Sequence, residues 1–352
     1  MSTSGPYDVI VVGAGLAGAL IASTLAAEGL QVVVLEASES SGGTIRRQPG
    51  LALLGTSTPF IELIAQLGED PAHTLWELTS DNLVRLEILL DQNNVTTQKL
   101  GSLRLAADPD ESDAFRESVR QLKTYGFSVG LEDDNRYGDL VGISTYDDIV
   151  FNPQDLILRL LDHENIIVEL GVEAHATKRR VDGSIAVWAH QHYLWADKVI
   201  FANGIHATRL NNQLSQYLHP MCIHTIVFEN IKTLSRPLVL DHGRMCFLPY
   251  GDRAYLTGWS REEQDSLSRL SSAADQLCPE AIVLGRFTTW IASSHDHFPI
   301  VGQLEEEPDV YFVNGLGPFG LNLALVTTDA LASLVLDGQT PEFFSLDRFP
   351  ST

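Results

Sequence analysis

The sequence predicts an α/β protein whose parallel sheet is built from both ends of the chain. Residues 7–12 and 31–36 are dominated by apolar side chains, as expected for strands that are covered on both faces. The Ala- and Leu-rich segment 16–28 between them predicts a helix that stops at Gly29. A strand, a turn, a helix and a second strand within about 30 residues form a βαβ unit.

The remaining segments extend this sheet and add a second one. A strand is predicted at 310–313, followed by a Gly-rich loop and a helix over about 321–336. The apolar pattern predicts further helices over 59–67, 74–90, 110–125 and 153–161, and strands over 102–105, 166–169 and 198–202. Strands of a second, mixed sheet are predicted over 221–228, 245–248 and 254–258. Because the first and last segments are expected in one sheet and the middle segments in another, this order predicts a nucleotide-binding domain that is interrupted by a second lobe.

Three glycines after the first strand, Gly13, Gly15 and Gly18, have the spacing GxGxxG. The first permits a tight turn, the second lets a pyrophosphate approach the backbone, and the third lets helix and strand pack closely. The helix N-terminus offers unpaired N–H groups and a partial positive charge to the phosphates. Glu36 ends the second strand, where a carboxylate accepts both ribose hydroxyls and repels the extra phosphate of NADP. The motif predicts a Rossmann-like dinucleotide site and by itself fits either FAD or NAD.

The composition excludes several classes of function. Against 46 Asp and Glu there are 23 Lys and Arg, a formal net charge of −23, which repels nucleic acid and is most simply a solubility feature. No apolar run reaches the length of about 18 residues that a membrane span needs, and the N-terminus lacks a signal-peptide pattern. The scattered cysteines Cys222, Cys246 and Cys278 fit buried thiols in a reducing compartment. We expect a cytoplasmic protein, with its oligomeric state left open.

The segment after Glu36 narrows the choice of nucleotide. The stretch ASESSGGTIRR resembles a segment of two-domain flavoproteins in which a Gly-Gly pair and a following arginine lie along the FAD pyrophosphate. Gly42 and Gly43 match the pair, and Arg46 or Arg47 matches the arginine. A solvated basic turn is the alternative explanation of the two arginines.

Three further stretches carry a more specific resemblance. They are VIFANGIHATRL (199–210), with Asn203 in place of a usual Thr, SSHDHFPIVGQL (293–304), with an Asp ahead of Pro-x-x-Gly, and VYFVNGLGPFGLNLALVTTDALASLVL (310–336). In this order they resemble the D-amino-acid oxidase (DAO) superfamily of FAD enzymes, which includes glycine oxidase and sarcosine oxidase. LWELTSDNLVRLEILL and GSLRLAADPDESDAFRESVRQL are more weakly similar to its γ-glutamylputrescine oxidase-like branch. The matches together cover nearly the whole chain.

The resemblance implies bound FAD. Gly315, Gly317 and Gly320, in the last of these stretches, would let N–H groups and a helix N-terminus approach the flavin pyrimidine edge, which becomes anionic on reduction. Val172 resembles the residue whose backbone contacts adenine, and an ordinary core valine is the alternative. The positions predicted to contact FAD are Gly13, Gly15, Leu16, Ala17, Gly18, Glu36, Ala37, Gly42, Gly43, Arg46, Arg47, Val172, Ala202, Asn203, Gly204, Gly315, Gly317, Pro318, Phe319, Gly320 and Leu321.

The same resemblance divides the chain into two discontinuous domains. The FAD-binding domain is assigned to 1–98, 150–207 and 297–345. The substrate-binding domain is assigned to 99–149 and 208–296, and residues 346–352 are assigned to a tail.

The family chemistry implied is hydride transfer from a C–H beside an amine nitrogen to flavin N5, giving an imine. The flavin performs the chemistry while the protein orients the substrate. Trp259, Trp290, Tyr250 and His295 are the predicted substrate-side residues, because aromatic side chains can enclose an amine and a histidine can act as a base. Aromatic core packing is the alternative for the first three. The pair His295 and His297 around Asp296 lacks a third ligand at suitable spacing, so no metal is expected.

Departures from the family pattern limit the substrate prediction. Ile291 aligns with the arginine that holds the substrate carboxylate in amino-acid-oxidising relatives, which favours an amine or a more distant carboxylate. Arg244 or Arg261 could substitute for that arginine, although each is also explained as a surface residue. Leu256 aligns with a lysine that promotes the reaction with oxygen. Thr288 aligns with a cysteine that tethers the flavin, which favours non-covalent FAD.

Two alternative functions stay open from the sequence. One is a flavin-binding subunit or electron-transfer protein without a small-amine substrate of its own. The other is an NAD-linked dehydrogenase, which the Gly42–Gly43 turn and the closing Gly-rich segment disfavour. No second dinucleotide motif is present, so oxygen or another electron carrier is expected to reoxidise the flavin.

Overall fold

The computed structural model of the chain describes residues 7–133, 140–190, 192–229, 235–260, 263–318 and 320–349. The α-helices in these ranges are α1 (Leu16–Ala27), α2 (Phe60–Leu67), α3 (Glu69–Gln92), α4 (Pro109–Thr124), α5 (Pro153–Leu161), α6 (Ala207–Leu210), α7 (Glu263–Leu277) and α8 (Ala324–Asp337). The first nine strands are β1 (Tyr7–Val12), β2 (Val32–Glu36), β3 (Gly50–Ala52), β4 (Thr97–Lys99), β5 (Ser102–Leu105), β6 (Val129–Glu132), β7 (Gly142–Thr145), β8 (Ile149–Phe151) and β9 (Ile166–Leu170). The others are β10 (Ala174–Arg179), β11 (Ile185–Ala189), β12 (His192–Phe201), β13 (Leu218–Glu229), β14 (Leu238–Leu240), β15 (Met245–Tyr250), β16 (Arg253–Ser260), β17 (Val283–Ser294), β18 (Ile300–Gln303) and β19 (Val310–Asn314).

The first sheet has a parallel centre that joins both ends of the chain. Its order is β10-β11-β12-β1-β2-β9, and β19 pairs with the end of β12 and with β18. The pairs β12–β1, β1–β2, β2–β9 and β12–β19 are parallel, as the buried apolar runs predicted. Helix α1 packs against α5 and α8 over this centre. The predicted α/β fold class is therefore confirmed.

The second sheet is mixed, as predicted, and has eight strands in the order β17-β13-β16-β15-β14-β5-β7-β6. Its pairs are antiparallel except β14–β5. All its strands lie within 102–145 and 218–294, whereas a small sheet, β3-β8-β4, lies in 50–151. The domain boundaries given above remain a prediction.

Local signals predicted the limits of α5 correctly but not the start of α3. Asn152 caps α5, since its Oδ1 accepts a hydrogen bond from the Gln154 N–H at 3.2 Å, and Pro153 occupies the first helical position. Helix α3 begins earlier than predicted, at Glu69, directly after the positive φ of Gly68 ends α2. No helix in the described part of the chain is long and apolar enough to cross a membrane.

Two predicted strand and helix limits differ in the structure for non-local reasons. Strand β12 starts at His192 rather than at 198, because its first half pairs with β11, a strand that the sequence did not predict. Helix α8 starts at Ala324 rather than at 321, because residues Gly320–Asn322 form a 3₁₀ turn. The longer strand and the shorter helix both depend on partners elsewhere in the chain.

Candidate cofactor and substrate site

The GxGxxG turn leaves no room for side chains at its first and third glycines. Gly13 has φ +107°, and a Cβ on it would lie 2.7 Å from the Ala202 carbonyl oxygen. A Cβ on Gly18 would lie 1.9 Å from the Gly13 oxygen, because α1 packs directly on the turn. A Cβ on Gly15 would meet nothing within 4 Å, and this residue lines a cavity. The turn thus has the close packing and the open backbone that a pyrophosphate requires.

Glu36 holds its carboxylate beside this turn. Its Oε2 accepts a hydrogen bond from the Ala14 N–H and its Oε1 accepts one from the Ser38 N–H, both at 2.9 Å. The residue is 9% exposed and lines the cavity. Each carboxylate oxygen can accept a further bond, so the group remains able to bind hydroxyls.

The second glycine pair lies across the first loop. The Gly42 N–H donates to the Ala14 carbonyl at 2.8 Å, and a Cβ on Gly43 would lie 3.5 Å from the Gly15 Cα. Arg46 and Arg47 follow on a 3₁₀ turn (Ile45–Arg47), and both line the cavity. The Arg46 guanidinium donates to Ser40 Oγ. These contacts bring the two predicted phosphate-binding segments together.

One cavity of about 940 Å³ runs between the two sheets. It is lined by every predicted FAD contact except Gly18, which is packed against the turn, and Phe319, which lies outside the described residues. The Val172 N–H is already bonded to the Glu36 carbonyl at 2.8 Å, which limits a further backbone contact to the Val172 carbonyl. The volume lies within the range of about 300–1,000 Å³ that is usual for ligand pockets.

The closing loop is attached to the second sheet. Gly315 and Gly317 have φ of +69° and +65°, and the Gly317 N–H donates to the Ala292 carbonyl at 3.2 Å. An isolated bridge pairs Ser293 with Leu316. Strand β17 therefore positions the Gly-rich loop against the cavity.

Two buried carboxamides lock the turn that follows this loop, and the sequence reasoning missed them. Asn82 Nδ2 donates to the Leu321 carbonyl at 2.8 Å, and its Oδ1 accepts from the Leu325 N–H at 2.9 Å. Asn322 Oδ1 accepts from the Leu53 N–H at 2.9 Å, and its Nδ2 donates to the Gly55 carbonyl at 3.1 Å. The available signal was Asn82 itself, a polar residue on the apolar face of α3.

Strand alternation decides which residues of the second sheet face the cavity. In the antiparallel pairs, Ile223 lies opposite Trp259 and Met221 lies opposite Ile291, so these four side chains share one face. They form one apolar cluster in which Trp259 is buried. Trp259 and Ile291 line the cavity, which places the predicted aromatic and the arginine-equivalent position on its wall.

Three predicted substrate-side residues are arranged differently from the expectation. Trp290 borders the cavity but pairs with Cys222, so its side chain points to the sheet face opposite Trp259. The residue is 44% exposed and cannot form a cage with Trp259. His295 is exposed, bonds through Nε2 to the Gln216 carbonyl at 2.9 Å, and is not among the lining residues. Tyr250 packs in a separate apolar cluster and also does not line the cavity.

One position aligned with a family residue, Leu256, also differs from the expectation. Leu256 is fully buried against α7, on the sheet face away from Trp259, so it does not occupy a lysine-like position in the cavity. Its neighbours Tyr255 and Thr257 line the cavity instead. Arg244 is exposed and paired with Asp241 at 3.1 Å, and Arg261 lies outside the described residues.

Asp296 anchors the C-terminal segment. Arg348 binds its carboxylate with two nitrogens, at 2.7 and 3.1 Å, and Ser294 Oγ donates to it at 2.8 Å. Burial by itself raises the pKa of Asp296, but the Arg348 and Ser294 contacts together lower it by more than burial raises it, so the net pKa lies below the ordinary value. Residues 346–349 of the predicted tail are thus held on the structure.

Within the described residues, no group of three or more His, Cys, Asp or Glu side chains could hold a metal ion.

Two polar atoms in the cavity wall have no hydrogen-bond partner among the described residues, which also fits a bound FAD. The Oδ1 atoms of Asn203 and Asn314 are buried in its wall without a hydrogen-bond donor among the described residues. Such buried acceptors are costly unless a ligand or water satisfies them. FAD carries hydroxyl, amino and imide donors along its whole length, so a bound dinucleotide can supply the missing bonds.

A family model described as FAD dependent oxidoreductase (DAO) matches residues 8–334. The chain belongs to this family. FAD is accordingly its cofactor, which sets aside the NAD alternative, and the residues described above fit it. The probable oxidoreductase OrdL of Haemophilus influenzae is 28% identical over 377 residues, covering 98% of this chain and 86% of the relative.

Solved structures share the fold of this DAO-family chain. Glycine oxidase from Geobacillus kaustophilus superposes with a TM-score of 0.80 at 17% identity, covering 99% of this chain and 100% of that one. An L-amino acid deaminase from Proteus vulgaris gives 0.77 at 17% identity, covering 99% and 96%. At these identities the likeness establishes the fold alone.

Proposed function

We propose that this DAO-family protein oxidises a C–N bond of an amine or amino-acid-like small molecule. Bound FAD would accept a hydride from the carbon beside nitrogen, the nitrogen would lose a proton, and water would hydrolyse the resulting imine. Oxygen or another acceptor then takes the two electrons. The observation that carries the proposal is the single cavity that joins the dinucleotide loops to the wall containing Trp259 and Ile291.

The roles of the chain's own residues follow from their placement. The N-terminus of α1 and the Glu36 carboxylate bind the dinucleotide, and the closing loop provides backbone groups beside the cavity at 315–318 and 320–321. Trp259 and Ile291 exclude water and orient the substrate by packing. Bound FAD supplies the two-electron acceptor that no side chain can provide.

We further propose that the FAD is held non-covalently. Of the three cysteines, Cys246 lines the cavity, and burial raises the pKa of its thiol to about 12. A thiol that stays protonated is a poor nucleophile. Thr288, at the position aligned with a tethering cysteine, bonds to His224 Nδ1 at 2.8 Å and cannot form a thioether.

A flavin-binding subunit without a small-amine substrate is the second candidate. The observation in its favour is that Leu256 faces α7 and Ile291 is apolar, so neither position supplies a charged group to the cavity. This candidate predicts a flavin that takes electrons from a protein or small carrier and is unaffected by amines.

The deciding experiment is spectroscopic. The purified protein should absorb at about 370 and 450 nm, and acid precipitation should release FAD into the supernatant. Anaerobic addition of a panel of amines should then bleach the 450 nm band. A flavin that is present but that no amine bleaches would favour the second candidate, and a protein that takes up no FAD would contradict both.

A further inference from the structure

The substrate class can be inferred from the wall that the second sheet presents to the cavity. On the face that carries Trp259, most of the lining side chains are apolar or aromatic and are buried or half-buried: Ile223, Leu248, Tyr255, Trp259 and Ile291. The other lining side chains of this face, Cys246, Thr257 and Thr289, are small and carry no carboxylate or cationic group. They come from four neighbouring strands, so the wall is continuous. Such a surface binds a substrate mainly by burying apolar area.

Charge is distributed unevenly around the cavity. Among its described lining residues, those on β13, β15, β16 and β17 include no Asp, Glu, Lys, Arg or His. The basic side chains that line it lie outside the second sheet, on two 3₁₀ turns, on β10 and on α6: Arg46, Arg47, His206, His175 and Arg209. A carboxylate placed against the wall would therefore be desolvated without a cationic partner, which is strongly unfavourable.

One neutral polar network connects Gln48, which directly follows the Ile45–Arg47 turn, to this wall. The Thr225 and Thr257 hydroxyls donate to Gln48 Oε1 at 3.0 and 3.4 Å, and the two hydroxyls lie 3.1 Å apart. Because the Gln48 carbonyl is engaged by both threonines, its amide NH₂ remains as a donor beside the cavity. A neutral donor can bind a neutral acceptor but does not compensate for burying a full negative charge.

We infer that the substrate is an apolar amine that presents an uncharged aromatic or branched aliphatic group to this wall, and not an α-amino acid. The inference rests on the proposed amine oxidation and makes it more specific. Ile291 determines the specificity, because it is the wall position where an arginine would convert the surface into a carboxylate site.

The binding experiment uses the FAD-loaded protein and two probes of equal size, benzamide and benzoate. Dissociation constants are read from the perturbation of the flavin absorption spectrum. Benzamide should bind at least about tenfold more tightly than benzoate, a difference of about 1.4 kcal/mol. Ile291→Arg should reverse the order, whereas Ile291→Met, which conserves volume and adds no charge, should keep it.

Anaerobic reduction provides the second readout, with benzylamine compared with glycine. Faster bleaching by benzylamine supports the inference. Equal or tighter binding of benzoate to the natural protein, or faster bleaching by glycine, overturns it, even if Ile291→Arg does not fold. A preference for benzamide combined with no bleaching by any amine would overturn the proposed oxidation while supporting the wall assignment.

Discussion

Replacing Asn322 tests whether the buried carboxamide clamp sets the position of the closing loop. Asn322→Ala removes two hydrogen bonds and leaves the Leu53 N–H and the Gly55 carbonyl without their partner in a buried segment. Each unsatisfied buried group costs about 1–3 kcal/mol, so the free energy of unfolding should fall by about 2–6 kcal/mol. A loss of this size is a large fraction of the stability of about 5–15 kcal/mol that is usual for a domain.

The assay is urea unfolding of the FAD-free protein, together with FAD titration followed by flavin fluorescence. The 3₁₀ turn held by Asn322 contains Leu321, which lines the cavity. Displacing this turn should therefore weaken FAD binding as well, by about tenfold, which corresponds to about 1.4 kcal/mol. Asn322→Asp keeps an acceptor for the Leu53 N–H but places a buried carboxylate oxygen against the Gly55 carbonyl, so it should lose at least as much as Asn322→Ala in both measurements.

Asn93→Ala is the matched control. Asn93 donates a single side-chain hydrogen bond to the Leu89 carbonyl at 2.8 Å, is half-buried and does not line the cavity. Its replacement should cost about 1 kcal/mol and leave FAD affinity unchanged. If Asn322→Ala behaved like this control in both measurements, the clamp would have no special role and the reasoning would be refuted.

Three further predictions concern the phosphate loop and the C-terminal anchor. Gly18→Ala should lower the melting temperature and cost more than about 2 kcal/mol, because its Cβ would lie 1.9 Å from a backbone oxygen; an unchanged calorimetric transition would contradict the packing. Glu36→Gln should weaken FAD binding about tenfold in fluorescence titration, since one buried N–H loses its acceptor and the charge is lost, whereas the exposed Glu39→Gln should not. Because the pKa of Asp296 is lowered, its stabilising effect is complete above the unfolded value of about 3.9 and is lost as pH falls through the lower folded pKa. Arg348→Met should remove that part of the acid dependence of unfolding, and an identical pH profile would count against the ion pair.

The nucleotide half of the site was predictable because its signals are local. Residues 7–36 hold the apolar strands, the three glycines and the terminal Glu36 in a contiguous stretch. The cap at Asn152 is equally local, since it depends on one side chain and the proline that follows. Backbone geometry of this kind is specified over a few residues and needs no knowledge of distant partners.

The clamp and the strand β11 were not predictable in the same way. Asn82 shows in the sequence as a polar residue within an apolar helix face, but nothing in the sequence indicates that its partners are Leu321 and Leu325, more than 200 positions away. Strand β11 packs as an antiparallel neighbour of β12, and its assignment depends on that pairing. These features arise from tertiary contacts, which local propensity does not encode.

The substrate half depends on a property that is not local, namely which face each strand presents to the cavity. A shift of one residue in a strand moves a side chain from the cavity to the opposite surface. Leu256 and Trp290 were both expected at the flavin, yet the pairing of β13 with its two neighbours places them on the side of Cys222 and α7. The same pairing places Trp259 and Ile291 on the cavity side. Because of this alternation, the register of β13 decides that the wall is largely apolar, and under the proposed function it would also decide which amines the site accepts.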